Sequence, residues 1–171
     1  MITPMGTAQK KTVAVIGLGY VGLPLAVRAV ERGYDVIGFD THAEKVEVLK
    51  KKKSPIEDQY LIDNIPKFPF EATTDASRLA DADIVLICVP TPVDEMYYPD
   101  LEPVISAATV SAEHLKKGAL VVLESTVNPG VSEEVIRPIF EEHGHKLGKD
   151  VFIAHCPERI NPGDEKWNVT N

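Results

Sequence analysis

A run of three glycines, Gly17-Leu-Gly19-Tyr-Val-Gly22, constrains the fold of this chain more than any other feature. The β-branched segment Thr12–Ile16 precedes it, as expected of a short strand buried in a parallel sheet. An apolar, helix-compatible segment, residues 23–31, follows it directly. Because G-x-G-x-x-G between a strand and a helix is typical of a dinucleotide site, this order predicts that the chain binds a dinucleotide.

Each glycine of this motif has its own expected role. Gly17 permits the tight turn, Gly19 lets the main chain approach a pyrophosphate, and Gly22 lets the helix pack close to the strand. The N-terminus of the helix then offers free N–H groups to the anion. We therefore predict that all three glycines bind the cofactor.

Asp40 indicates which dinucleotide is bound. It follows a second predicted strand, Asp35–Phe39, and a carboxylate there accepts hydrogen bonds from the ribose of NAD and repels the 2′-phosphate of NADP. The sequence therefore favours NAD. Alternatively, Asp40 is the N-cap of the helix that follows. Lys45, one turn into that helix, either faces the adenosine pocket or is an ordinary solvated lysine.

Composition and charge narrow the class of protein. The chain has 171 residues, of which 44% are hydrophobic and 26% charged, and this suits one globular domain. Its net charge of −8 argues against nucleic acid as a partner. No apolar run approaches the ~20 residues of a membrane span, so we expect no membrane partner and a cytoplasmic location. Residues 1–10 are expected to form a disordered tail.

The two cysteines carry no recognisable metal or disulfide pattern. Cys88 and Cys156 lack metal-ligand spacing and are far apart in the sequence. Cys88 lies inside an apolar run and is expected to be an inert core residue. We therefore predict no metal site.

Strand and helix patterns alternate along the chain, which predicts right-handed crossovers and a parallel sheet. The expected fold class is α/β, a doubly wound parallel sheet of the Rossmann-like, dinucleotide-binding kind. The predicted strands are 12–16, 35–39, 70–72, 84–89, 119–123 and 151–154. The predicted helices are 23–31, 43–52, 75–80, 101–117 and 131–143, and residues 54–69 show no clear period. Ligands of such sheets lie beyond the carboxyl ends of the strands, so the polar residues there should converge.

Four segments together resemble a known family. They are Val15-Ile-Gly-Leu-Gly-Tyr-Val-Gly-Leu-Pro24, Cys88-Val-Pro-Thr-Pro92, Glu124-Ser-Thr-Val127 and Pro157-Glu-Arg-Ile-Asn-Pro-Gly-Asp164. In this order they resemble the UDP-sugar 6-dehydrogenases, the UDP-glucose/UDP-N-acetylmannosamine dehydrogenase family, from about residue 11 onward. The last segment resembles the branch that acts on UDP-N-acetylhexosamines.

The resemblance implies an activity. This family oxidises the C6 alcohol of a UDP-sugar to a uronic acid with two NAD⁺, through an aldehyde and a thioester on a cysteine, in the synthesis of surface polysaccharide precursors. Residues 11–171 would be its NAD-binding domain, without the central helix, the UDP-binding C-terminal domain and the nucleophilic cysteine. The chain alone is therefore expected to be inactive, and the full-length enzyme to be a homo-oligomer.

The resemblance also implies which residues bind the cofactor. Tyr20 and Val21 would join the three glycines around the pyrophosphate. Asp40, with Lys45, would hold the adenosine ribose. Thr91 and Thr126 would line the nicotinamide side.

Two catalytic roles and one substrate contact follow from the same resemblance. Thioester hydrolysis at neutral pH needs an oriented water and a base, and the family pattern assigns these tasks to Thr126 and Glu158. Arg159 would face the substrate or a subunit contact. From spacing alone, Thr126 could equally be a turn-forming hydroxyl, and Glu158 could form a surface ion pair with Arg159.

Two other functions stay open. One is another NAD-dependent dehydrogenase, of the 3-hydroxyacid type, which opens with the same glycine motif but lacks Glu-Ser-Thr-Val followed by Pro-Glu-Arg. The other is a non-catalytic nucleotide-binding module.

Overall fold

The structure is a computed structural model and describes residues 10–157 together with Arg159 and Val169. Six parallel strands form one sheet in the order β3-β2-β1-β4-β5-β6. The strands are β1 Thr12–Ile16, β2 Asp35–Phe39, β3 Glu71–Thr73, β4 Ile84–Ile87, β5 Ala119–Leu123 and β6 Val151–His155. This is the doubly wound order, so the predicted fold class is confirmed.

Helices connect these strands. The α-helices are α1 Gly22–Glu31, α2 Ala43–Lys50, α3 Gln59–Asn64, α4 Glu102–His114 and α5 Arg137–Glu142. A 3₁₀ helix, Ala76–Asp81, precedes β4, and a π-helical turn, Ser132–Ile136, leads into α5. Asp75 caps the 3₁₀ helix by accepting a hydrogen bond from the Ser77 N–H, as the sequence predicted.

Alternate residues of β1 supply the cores on the two faces of the sheet. Val13 and Val15 belong to the core that α1, α2 and α3 cover. Ala14 and Ile16 belong to the opposite core, which α4 and α5 cover. Because both faces are covered, the central strands are apolar along their whole length rather than alternating.

The structure differs from the prediction in the extent of some helices. Helix α4 ends at His114 rather than at residue 117, because Leu115 turns to an extended conformation and is buried. Gly118, with φ of +87°, therefore serves the turn into β5. Residues 54–69, expected to be irregular, contain α3, which Asp58 caps by accepting from the Leu61 N–H at 2.9 Å.

The end of α2 also differs from the prediction. The helix ends at Lys50 rather than at residue 52. Lys53 N–H donates to the Val48 carbonyl and Lys52 N–H to the Leu49 carbonyl, which is the hydrogen-bond pattern of a Schellman motif. Lys52 therefore takes a left-handed conformation, with φ of 57°, in the place that glycine usually occupies.

No helix among the described residues is long and apolar enough to cross a membrane.

Candidate dinucleotide-binding site

The carboxyl ends of five strands are level with one another. Ile16 pairs with Phe39 on one side and with Ile87 on the other, and Leu123 pairs with Ile87 and His155. The residues that follow these strands therefore lie in one row along the sheet edge. They are Asp40, Gly17, Cys88, Glu124 and Cys156.

The glycine turn between β1 and α1 is tightly packed at two positions and open at a third. Gly17 has φ of +90°, and a Cβ there would lie 2.8 Å from the Cys88 carbonyl oxygen. A Cβ at Gly22 would lie 1.9 Å from the Gly17 carbonyl oxygen. A Cβ at Gly19 would meet no atom within 4 Å. Packing thus requires glycine at positions 17 and 22, whereas Gly19 leaves open space where a pyrophosphate would approach.

The same turn carries main-chain N–H groups that have no partner within the described residues. The first hydrogen bond into α1 runs from the Leu23 N–H to the Gly19 carbonyl, at 3.1 Å. Within the described part of the chain, the N–H groups of Gly19, Tyr20, Val21 and Gly22 make no hydrogen bond. Such donors at a helix N-terminus bind a phosphate group well. The turn therefore fits the pyrophosphate of a dinucleotide.

The Asp40 side chain, which is 5% exposed, is held by four donors. Its Oδ2 accepts from the Leu18 N–H at 2.8 Å and from Lys45 Nζ at 2.6 Å. Its Oδ1 accepts from the His42 N–H at 2.9 Å and lies 3.0 Å from His42 Nδ1. Burial raises the pKa of Asp40, but the hydrogen bonds from Lys45, His42 and Leu18 outweigh it, so the pKa lies below its ordinary value of 3.8.

The structure differs from the two alternatives that the sequence left open, an N-cap role for Asp40 and a solvated Lys45. The N-cap of α2 is His42, not Asp40. Lys45 is not an ordinary solvated lysine, because its ammonium group is partly buried against the Asp40 carboxylate. Asp40 and Lys45 are thus together at the end of β2, as the sequence predicted.

Thr91 and Thr126 are also brought together. The Thr91 hydroxyl donates to the Thr126 carbonyl at 2.9 Å, which joins the loops after β4 and β5. The Ser125 hydroxyl makes a second link, to the Val89 carbonyl at 2.7 Å. The exposed Thr126 side chain therefore stands on an anchored loop at the carboxyl edge of the sheet. Its role toward nicotinamide or water stays a prediction.

Of the remaining residues that the sequence singled out, the structure describes Cys88 and Arg159 but not Glu158. Cys88 is buried in the core beside the glycine turn, as expected. Glu158 lies outside the described residues, as does most of the predicted N-terminal tail. Arg159 is described and exposed. No group of three or more potential metal ligands was found among the described residues.

Two features of the site were missed in the sequence. One is His42, two residues after Asp40. An aspartate often accepts from the N–H two residues further on, and this spacing was the available signal. The other is a hairpin-like turn, residues 92–100, that follows Thr91. The Asp94 carboxylate accepts from the N–H groups of Met96 and Tyr98, and Tyr97 is 85% exposed with φ of 64°. Asp94 is a typical turn residue and was the available signal.

A cavity of about 720 Å³ lies at the opposite edge of the sheet, near the amino ends of the strands. Its charged residues pair with one another, for example Lys116 with Asp83 and Arg78 with Glu71. Ligands of doubly wound sheets bind at the carboxyl ends of the strands, so this cavity is not the candidate site.

Comparison with known proteins agrees with this geometry. Residues 11–171 match the sequence model of the UDP-glucose/GDP-mannose dehydrogenase family, NAD binding domain. The chain belongs to this family. The predicted family and cofactor, NAD, are therefore confirmed.

Curated relatives include two bacterial proteins. Protein CapL of Staphylococcus aureus is 39% identical over 158 residues, which cover 92% of this chain and 37% of CapL. The UDP-N-acetyl-D-glucosamine 6-dehydrogenase of Pseudomonas aeruginosa is 39% identical over 162 residues, or 93% of this chain and 38% of that enzyme. The chain thus spans somewhat over a third of the length of these relatives.

A solved structure has the same fold. The UDP-D-ManNAc dehydrogenase of Pyrococcus horikoshii superposes with a TM-score of 0.85 at 33% identity. The match covers 89% of this chain and 37% of that one. The similarity therefore extends over nearly all of the domain.

We predict that Asp40→Asn lowers the stability of the fold at neutral pH. The difference in stability between variant and wild type should shrink in acid. An amide nitrogen cannot accept from the donors around Asp40, and buried donors without a partner cost about 1–3 kcal/mol. Because the folded-state pKa is lowered, the charge stabilises the fold above the ordinary carboxyl pKa and ceases to do so as pH falls through the folded value. The melting temperatures of wild type and variant, measured from pH 7 to below pH 3.8, give this difference in stability.

Asp35→Asn is the matched control, because Asp35 is an exposed carboxylate paired with Lys10. It should leave the melting temperature almost unchanged. An Asp40→Asn variant as stable as wild type at pH 7 would contradict the structural role of the Asp40 charge.

Proposed function

We propose that this chain is the NAD-binding domain of a UDP-N-acetylhexosamine 6-dehydrogenase, which oxidises a C6 alcohol to a uronic acid. The observation that carries the proposal is the carboxyl edge of the sheet. There the open glycine turn, the charged Asp40 and the linked loops of Thr91 and Thr126 lie side by side. The names of the relatives, UDP-N-acetyl-D-glucosamine and UDP-D-ManNAc dehydrogenases, support the substrate class.

Each part of the edge has a proposed task in holding the cofactor. The N–H groups from Gly19 to Gly22 bind the pyrophosphate. Asp40, with Lys45, orients the adenosine ribose. Thr91 and Thr126 border the nicotinamide end. When bound, NAD⁺ accepts a hydride from the substrate carbon.

The residues after β5 and β6 have proposed tasks in hydrolysis. Thr126 positions a water, and Glu158 takes its proton as that water attacks the thioester carbonyl. Arg159 contacts the anionic sugar nucleotide. The thioester-forming cysteine would belong to a part of the full-length enzyme outside residues 1–171. We further propose that the full-length enzyme is a cytoplasmic homo-oligomer.

We expect Gly19→Ala to weaken NAD⁺ binding at least about tenfold, which corresponds to roughly 1.4 kcal/mol, without destabilising the fold. The added methyl group meets no protein atom within 4 Å but projects into the space that the pyrophosphate needs. Calorimetric titration with NAD⁺ and thermal unfolding measure the two effects.

Gly22→Ala is the matched control for Gly19→Ala, because it adds the same methyl group at a packed position of the same turn. Its methyl group would lie 1.9 Å from the Gly17 carbonyl oxygen, so we expect a large loss of stability. If Gly19→Ala bound NAD⁺ as tightly as wild type, the pyrophosphate would not lie on this turn.

A second prediction concerns Glu158 in the full-length enzyme. Glu158→Gln keeps the size of the side chain but cannot accept a proton. If Glu158 promotes hydrolysis, the variant should reduce NAD⁺ in a burst and then stall, because a covalent intermediate accumulates when its breakdown is slowed. Absorbance of NADH follows the burst, and intact-protein mass spectrometry detects the bound sugar nucleotide.

Glu142→Gln, a change on the last turn of α5, should behave as wild type. A Glu158→Gln enzyme with wild-type steady turnover would instead assign Glu158 a structural role, such as an ion pair with Arg159.

A further inference from the structure

The Asp40 carboxylate has no spare acceptor position. A carboxylate offers about four lone-pair sites. In this structure Oδ2 receives Leu18 N–H and Lys45 Nζ, and Oδ1 receives His42 N–H and faces His42 Nδ1. A ribose hydroxyl can therefore bind Asp40 only if one of these donors gives up its place.

Two of the four donors are fixed by the fold. The Leu18 N–H belongs to the glycine turn, which close packing holds in place. The His42 N–H belongs to the N-cap residue of α2. Neither can move without rearranging an element of secondary structure, so one of the two side-chain donors must yield.

The imidazole of His42 is the donor that can leave at least cost. The Lys45 side chain is 27% exposed and lies 2.6 Å from Oδ2, whereas the His42 side chain is 76% exposed. Among the described residues, the His42 ring makes no other hydrogen bond. Because most of the His42 side chain is in solvent, water can take over its contact with Asp40 when the ring moves away.

We infer that the His42 side chain competes with the ribose of NAD for the Asp40 carboxylate. This inference rests on the proposed role of Asp40 in holding the adenosine ribose. It makes His42 a residue that tunes cofactor affinity through Asp40 rather than one that reacts.

The competition should depend on pH. A protonated imidazole donates a charge-assisted hydrogen bond to Oδ1 and competes more strongly than a neutral one. Imidazole side chains as a class change charge between about pH 5 and 8.

The charged groups around His42 are Asp40 itself and, on α2, Glu44 and Lys45. On the neighbouring strand β3, Thr73, whose carbonyl accepts from the Asp40 N–H, carries no charge. If the competition weakens as the imidazole loses its proton, NAD⁺ affinity should rise as the pH rises.

Calorimetric titration of the protein with NAD⁺ at about pH 5.5 and pH 8 tests this inference. We expect wild type to bind about two- to fivefold more weakly at the lower pH, a modest change because the competing side chain is mostly exposed. His42→Ala should bind more tightly than wild type at the lower pH and show little change between the two. His42→Asn, which introduces a favourable N-cap residue without an ionisable side chain, should behave in the same way.

His143→Ala is the matched control, because His143 is an exposed histidine at the end of α5, on the other face of the sheet. It should keep the wild-type pH dependence. If both His42 variants also kept it, the inference would be wrong while the proposed cofactor site stood. If the wild-type protein failed to bind NAD⁺ at either pH, the cofactor site and this inference would fall together.

Discussion

The close contact between the start of α1 and the glycine turn is the constraint on which the rest of the site depends. Gly22 lies against the Gly17 carbonyl so tightly that a Cβ would be 1.9 Å away. This contact places the N–H groups of residues 19–22, which make no hydrogen bond within the described part of the chain, at the carboxyl edge of the sheet. It also places the Leu18 N–H where it can donate to Asp40. Packing between helix and strand thus determines both the phosphate site and its acidic neighbour.

Asp40 places a buried negative charge beside that packed turn. Its carboxylate joins the glycine turn to the start of α2, through Leu18 on one side and His42 and Lys45 on the other. Four donors keep the pKa of this buried group low, so it is charged at neutral pH. One side chain therefore stabilises the fold and presents a negative charge where the ribose of a dinucleotide would lie.

Much of the fold, but less of the site, could be predicted from the sequence. Apolar strands and glycine-marked turns are local signals, so all six strands were found. Helix α3 was missed because six residues with one buried side chain, Leu61, are too short to show a period. The early end of α4 depends on Leu115 packing into the core, which has no local signal. His42 lies only two residues after Asp40, but the sequence does not show that its ring turns back onto the carboxylate.

The central claim is that a charged Asp40 beside an open glycine turn selects NAD, and calorimetric titration with NAD⁺ and NADP⁺ tests it most directly. The account predicts that the protein binds NAD⁺ and binds NADP⁺ at least about tenfold more weakly, a difference of roughly 1.4 kcal/mol. The 2′-phosphate of NADP⁺ would be brought against the Asp40 carboxylate. Equal affinities for the two cofactors would contradict the account.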